Sequence, residues 1–168
     1  MDTTTLRDAY RTLLEAAAAV AEAEGAVAVP PAGEWNADQI LAHVSLVGAA
    51  TIAAVSSVTA GVHTTYDNRV ALDLWTIERT IERAGGNTGL RHRIGLQADA
   101  LCALGGPVLS EAELDTPVPA LLLSNDKLLV DQPLSLRGIV VGLADGELPG
   151  HTRQLVALLP EVGGVRRG

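Results

Sequence analysis

Apolar side chains return every three or four positions over most of this chain, the repeat of helices that each hide one face. From Thr5 to about Glu24 the recurring set is Leu6, Tyr10, Leu13, Leu14, Ala17, Val20 and Ala21, and Gly25 follows as a stop. Val27 to Trp35, with Pro30, Pro31 and Gly33, reads as a loop. Asn36 with Gln39 three residues on predicts a capping box, and apolar or small residues then run to Ala60 before Gly61. The inward stripe of this second helix is Ile40, Val44, Val47, Thr51 and Ala54, and His43 shares it.

A third helical stretch, Asn68 to Ala84, is expected to turn Val70, Leu74, Trp75, Ile77 and Ile81 inward and Glu78, Arg79, Glu82 and Arg83 outward. After Gly85, Gly86 and Asn87, a further helix from Thr88 to Leu104 aligns Leu90, Ile94, Leu101 and Leu104, and Gly105, Gly106 and Pro107 are expected to terminate it. The two read as one long broken helix or two stacked ones. Between Thr116 and Gln132 the helical repeat is lost. Ala120 to Leu123 and Leu128 to Val130, around Asn125 and Asp126, fit a short β-hairpin or an irregular segment. Ser135 then caps a final helix through Leu136, Ile139, Val140, Leu143, Glu147, His151, Leu155 and Leu158. The expected class is all-α, one domain over residues 1–168.

Composition narrows this picture. Hydrophobic residues make up 48% of the chain, yet there is no Phe and only two Trp and two Tyr, so Ala, Val, Leu and Ile must build the core. The single Cys102 cannot form an internal disulfide and falls in the apolar run Ala98 to Leu104, which predicts a buried thiol and a reducing compartment. With no secretory-type leader and no uninterrupted apolar run of about 18 residues, the expected location is cytoplasmic, with no membrane partner. A net charge of −8 with dispersed basic residues excludes nucleic acid as a partner, because phosphate backbones are held by clustered Lys and Arg. A small-molecule substrate is expected instead, with a homodimer as the candidate assembly.

The candidate chemistry lies on two inward stripes. Glu147 and His151 are four residues apart, which on a continuous helix places them one above the other. With His43 they form a two-imidazole, one-carboxylate set, the donor set of many catalytic zinc sites and equally of non-haem iron facial triads. An ionised carboxylate on a buried face needs a cation or several hydrogen bonds to meet it. Pro149 opposes this placement. It removes a helical hydrogen bond and disfavours the helical region for Leu148, so a kink or complete break is expected, and a break would end the four-residue argument. His63 and His92 sit in polar surroundings and read as solvated. Asp145, Arg153 and Gln154 are candidates to support the ligands or contact substrate. There is no phosphate-binding Gly-rich loop, G-x-S-x-G elbow or paired-cysteine metal motif.

These motifs resemble a family. WNADQILAHV, Trp35 to Val44, resembles the Trp and His signature on the second helix of the DinB-like superfamily, which includes the mycothiol-dependent maleylpyruvate isomerases. ELPGHTRQL, from Glu147, is similar to the second metal-binding segment in its isomerase-like form, where Glu rather than His opens the pair. The segment around Tyr66 and Arg69 is similar to the corresponding region of that branch. The resemblance implies a four-helix bundle of up-down-down-up type, with a divalent metal held by His43, Glu147 and His151. Zinc is the usual ion, with Ni and Fe as the other candidates. It also implies a low-molecular-weight thiol such as mycothiol, activated for S-transfer or isomerisation, with Tyr66 and Arg69 at the active site and Arg153 or Arg69 holding an anionic group. The isomerases carry an additional C-terminal domain that is not expected here, so their particular reaction is not carried over. Two other readings stand beside this one: a metal-dependent hydrolase or iron enzyme, and a non-catalytic binding bundle whose site Pro149 has dismantled.

Overall fold

The computed structural model describes residues 1–23, 28–124 and 127–160, so the stop at Gly25 and the turn at Asn125 and Asp126 lie outside the described residues. Helix α1 (Thr4–Glu22) buries Leu6, Tyr10, Leu13, Ala17 and Val20 as its spacing predicts. Helix α2 (Ala37–Thr59) starts from the expected capping box: the Gln39 N–H donates to Asn36 Oδ1 at 2.9 Å and the Asn36 N–H to Gln39 Oε1 at 3.0 Å. Its stripe from Ile40 through His43, Val44, Val47, Thr51 and Ala54 is buried. With a mean hydropathy of 1.8 it is long and apolar enough to cross a membrane, although most of that stretch is enclosed by the rest of the chain.

The third stretch departs from expectation. Tyr66–Asp67 is a short strand, β1, followed by one helical turn, α3 (Arg69–Leu72), and a separate helix, α4 (Leu74–Ala84). Asp73 divides the helices: its backbone is extended at ψ 115° and its carboxylate accepts the Thr76 N–H, a fresh N-cap. Val70 in the single turn of α3 is exposed, and past the restart the helical phase is shifted, so Leu74 and Trp75 face outward while Ile77 and Thr80 are buried. Helix α5 (Asn87–Ala103) buries Leu90, Ile94, Leu101 and, as expected, Cys102. Gly105, Gly106 and Pro107 do not stop it directly; the chain first makes a wide π turn over Leu104–Val108. A short helix that the sequence pattern did not announce, α6 (Glu111–Leu114), is capped by Ser110.

The hairpin is longer than expected, with β2 (Pro117–Ser124) antiparallel to β3 (Lys127–Ser135) and β1 added in parallel on the far side of β2. A register shift at Leu122 and Leu123 is held by Asn68, whose side chain bonds both the N–H and the C=O of Leu123 at 2.9 Å. Ser135 caps α7 (Leu136–Gly142) through the Gly138 N–H, and a second π turn, Leu143–Glu147, leads without a break into α8 (Leu148–Ala157).

The molecule is therefore mostly helical with a small three-stranded sheet. Helix α2 packs on α5 and α4, and α1 packs on α8 and α5. Their buried faces form one cluster, in which Leu13, Leu41, Leu90 and Leu148 are fully enclosed. Truncating any of these to Ala costs about 2–5 kcal/mol through lost transfer energy and an unfilled cavity.

Candidate metal centre

Each of the three stripe residues reaches the site by a different local route. His43 is about two helical turns from the capped start of α2, on its most buried face. Its Nδ1 lies 2.8 Å from the carbonyl oxygen of Ala71, in the single turn of α3. A carbonyl only accepts, so Nδ1 carries a hydrogen, and Nε2 faces inward toward Glu147, as a lone pair in the neutral ring or with a second hydrogen in the imidazolium.

Glu147 and His151 arrive on the final helix despite Pro149. The turn before the proline is π rather than α: the Leu148 N–H bonds Leu143 O, five residues back. Pro149, which brings no N–H to the backbone ladder, then falls in the first turn of α8, directly after this widened turn. Leu148 keeps helical dihedrals, φ −61° and ψ −46°. The expected break is thus corrected to a wide turn in an unbroken helix, and Glu147 and His151 remain one above the other. π turns of this kind recur at functional sites because they insert a residue and re-aim the side chains beyond it.

The three side chains converge. His43 Nε2 lies 2.7 Å from Glu147 Oε1, and His151 Nε2 lies 3.2 Å from the same oxygen. One ligand atom from each residue can be chosen so that all lie within 4.8 Å of one another. Donors bound to one ion at about 2 Å stand about 3–4 Å apart. The side chains are 4%, 36% and 13% exposed for His43, Glu147 and His151. Burial alone would raise the Glu147 carboxyl, but the hydrogen bonds from His151 and His43 outweigh it and hold the group well below the ordinary carboxylate range. Glu147 is therefore ionised. Two atoms 2.7 Å apart that both bear lone pairs would repel, so between His43 Nε2 and Glu147 Oε1 there lies a proton or a metal ion.

The surroundings suit this centre. Gln154 Oε1 lies 2.7 Å from His151 Nδ1, which ties off the second imidazole as Ala71 does the first. The indole of Trp35 covers both rings, with centroids 4.9 Å from His43 and 6.4 Å from His151. A cavity of about 710 Å³ opens from the three ligands toward the sheet, with Trp35, Tyr66, Leu122, Leu143 and Arg153 among its walls. The Thr51 hydroxyl donates to Val47 O, so the Tyr66 hydroxyl donates to Thr51 Oγ1 at 3.1 Å and turns its lone pairs to its other surroundings. Burial raises the Tyr66 phenol, with the Thr51 hydrogen bond only partly offsetting it, so it stays neutral.

Tyr66, Arg153 and Gln154 thus join the three ligands around one cavity. Arg69 does not: it is exposed and paired with Asp67, away from the cavity walls, because the two residues close a local turn. Asp145 is exposed and also stands off the walls. His63 and His92 are exposed, as expected. The Ala71 carbonyl carried no sequence signal, since any residue supplies one, whereas the cover from Trp35 was legible as an aromatic eight residues before His43 in a chain with few.

Comparison of the chain with protein-family models, with curated proteins and with solved structures finds no match.

Proposed function

We propose that this chain is a divalent-metal-dependent enzyme, a bundle of the DinB-like kind, that activates a low-molecular-weight thiol for S-transfer or isomerisation of a small molecule. The observation that carries the metal reading is the convergence of two Nε2 atoms on one carboxylate oxygen, with the His43 Nδ1 already committed to Ala71. The donor set fits a zinc-like ion: three protein ligands, one short of the usual four, bordering a cavity from which the fourth donor can come. When bound, such an ion lowers the pKa of a coordinated thiol or water so that the anion forms at neutral pH.

The protein's own groups would do the rest. Ala71 O and Gln154 hold the two imidazoles in one tautomer and orientation. Trp35 covers the two imidazoles on one side, with ring centroids 4.9 Å from His43 and 6.4 Å from His151. Tyr66, neutral, offers an acceptor to a donor on the bound molecule, and Arg153 at the wall meets an anionic group. The thiol is supported by the resemblance of the Trp35 to Val44 and Glu147 to Leu155 segments; the reading of a site dismantled by Pro149 loses its premise, since the helix is unbroken.

Protein purified without a histidine tag is expected to take up about one zinc ion per chain, and His43→Ala to abolish the uptake. In cobalt-substituted protein, added N-acetylcysteine or mycothiol should produce a thiolate-to-cobalt charge-transfer band. Less than about a tenth of an ion per chain after adding zinc or nickel would overturn the metal reading. A cobalt spectrum that responds to pH but to neither thiol would replace thiol activation with water activation.

A further inference from the structure

His43 takes its orientation from a segment that could not hold its shape alone. Its Nδ1 donates to the carbonyl oxygen of Ala71 at 2.8 Å, and Ala71 lies in α3, a helix of 4 residues. A first helical turn fixes several dihedral angles for a single hydrogen bond, so a helix this short does not stand by itself in water. Whatever pins α3 therefore decides where that carbonyl points.

The carbonyl is available because the helix stops. In a helix running on from Asn68 to Ala84, as the sequence pattern predicts, Ala71 O would take the N–H of Trp75, four residues on. The extended backbone at Asp73 ends that ladder after Leu72, and the Asp73 carboxylate starts a new one by accepting the Thr76 N–H at 2.9 Å. Ala71 O is left as a C-terminal carbonyl of a one-turn helix, and in its buried place the His43 ring satisfies it.

Asn68 supplies the anchor, and it bonds through each of its polar groups. Its N–H donates to Leu121 O at 3.4 Å, and its own carbonyl accepts the Ala71 N–H at 3.0 Å, which closes the turn. Its side-chain Nδ2 donates to Leu123 O and its Oδ1 accepts the Leu123 N–H, both at 2.9 Å. A primary amide carries a donor and an acceptor side by side, as a peptide unit does, which lets asparagine serve both the N–H and the C=O of one residue; the isosteric aspartate has no donor when ionised. The residue so gripped lies 55 positions away, at the register shift of the hairpin. Just before it in the chain, the Tyr66 hydroxyl on Thr51 ties the same segment to α2, the helix that carries His43.

We propose that Asn68 is a positioning residue of the candidate metal centre: by tying α3 to the hairpin at Leu123 it holds the Ala71 carbonyl on His43 Nδ1, and so fixes the imidazole with Nε2 toward Glu147. The consequence for a bound ion rests on the metal reading above; the consequence for the imidazole does not.

The test compares Asn68→Asp, Asn68→Ala and Ser110→Ala with the wild type. Aspartate keeps the shape of asparagine and an acceptor for the Leu123 N–H, but sets a second carboxylate oxygen against Leu123 O. Ser110→Ala removes the cap of α6, away from the cavity walls, and controls for a general loss of stability. Two quantities are read: exchange of the His43 Nδ1 proton with water, by proton–nitrogen NMR of the ring in metal-free protein, and zinc affinity by chelator competition. Both Asn68 variants are expected to exchange that proton at least about tenfold faster than wild type, as local opening of α3 exposes it. They should bind zinc about ten- to a hundredfold more weakly, the range for losing a group that orients a ligand. Ser110→Ala should leave both quantities within about twofold of wild type, as a distant and independent site does. Unchanged proton exchange in both Asn68 variants overturns the proposal, whatever their zinc affinity, because Asn68 would then not act through the Ala71 carbonyl. Equal losses in Ser110→Ala overturn it too. Faster exchange in the Asn68 variants of a protein that takes up no zinc upholds the positioning of the imidazole and removes the metal.

Discussion

Among the described residues two helices swell into a π turn beside a proline, and one of the two continues past it. After α5, Pro107 lies inside the wide turn Leu104–Val108, Leu109 is extended at φ −82° and ψ 127°, and the carbonyls of Gly105 and Gly106 accept hydrogen bonds from Met1 N. After α7, the wide turn Leu143–Glu147 closes first, and Pro149 follows in the opening turn of α8. Composition barely separates the two segments, for each mixes glycine and proline with aliphatic residues. The order does: the helix ends where the proline lies within the widened turn, and continues where the proline lies just beyond it. The second helix also has a reason to resume, since Leu148 and Leu155 are fully buried and α8 packs along α1. The inserted residue turns the upstream and downstream faces relative to each other by about 100°, one residue's share of a helical turn, which lets α7 keep Ile139 and Val140 in the core while α8 brings Glu147 and His151 to His43.

Deleting one residue from each π turn is the strongest way to break that comparison. Removing Gly146 should restore an α-helical phase and swing the ligand pair away from His43. Helicity by circular dichroism should hold while zinc affinity, measured by chelator competition, falls about a hundredfold or more, roughly 2.7 kcal/mol. Removing Gly106 should leave zinc affinity within about twofold of wild type. Equal effects of the two deletions would show that the second π turn does not aim the ligands.

A smaller effect concerns stability. Zinc at about a hundred times its dissociation constant should stabilise the wild type by about 2.7 kcal/mol, so stripping it with a chelator should lower the melting temperature by roughly 5–10 °C. Glu147→Ala should show no such difference between loaded and stripped samples. A melting temperature indifferent to chelator in the wild type would contradict binding of metal to the folded state.

The smallest effect is the most discriminating for Pro149. A proline forced into a helix interior costs about 3 kcal/mol or more, and its replacement by alanine would return that amount. Placed in the first turn, Pro149→Ala should change stability by less than about 1 kcal/mol, read from urea midpoints at constant slope. A gain near 3 kcal/mol would mean that the helix is strained there rather than accommodated.

Local signals in the chain were reliable wherever the determining interaction spans only a few residues. The caps at Asn36 and Ser135 and the buried stripes of α1 and α2 follow from spacing and from side chains that satisfy their own neighbours' N–H groups. The same logic failed at Asp73, where a cap inside an apolar repeat restarted the phase and turned Leu74 and Trp75 outward. Pro149 departs from the expected break for a related reason: a residue before proline avoids helical dihedrals on average, and Leu148, fully buried, keeps them. The long hairpin was underestimated because the outward residues of β3 include Lys127, Asp131 and Gln132, which dilute its alternation.

By itself the sequence determined which residues were available for chemistry and which helical face each occupied: His43 on the stripe of α2, and Glu147 with His151 four apart, since periodicity of side-chain direction is a property of the backbone alone. Tertiary structure alone decided that these faces meet. Whether a carboxylate 104 residues away comes within 2.7 Å of His43 depends on a π turn, on an Ala71 carbonyl that orients the imidazole, and on the packing of α8 against α1. None of these is written in a local pattern, because each is the outcome of competition between one helix's own preference and the burial it gains by yielding.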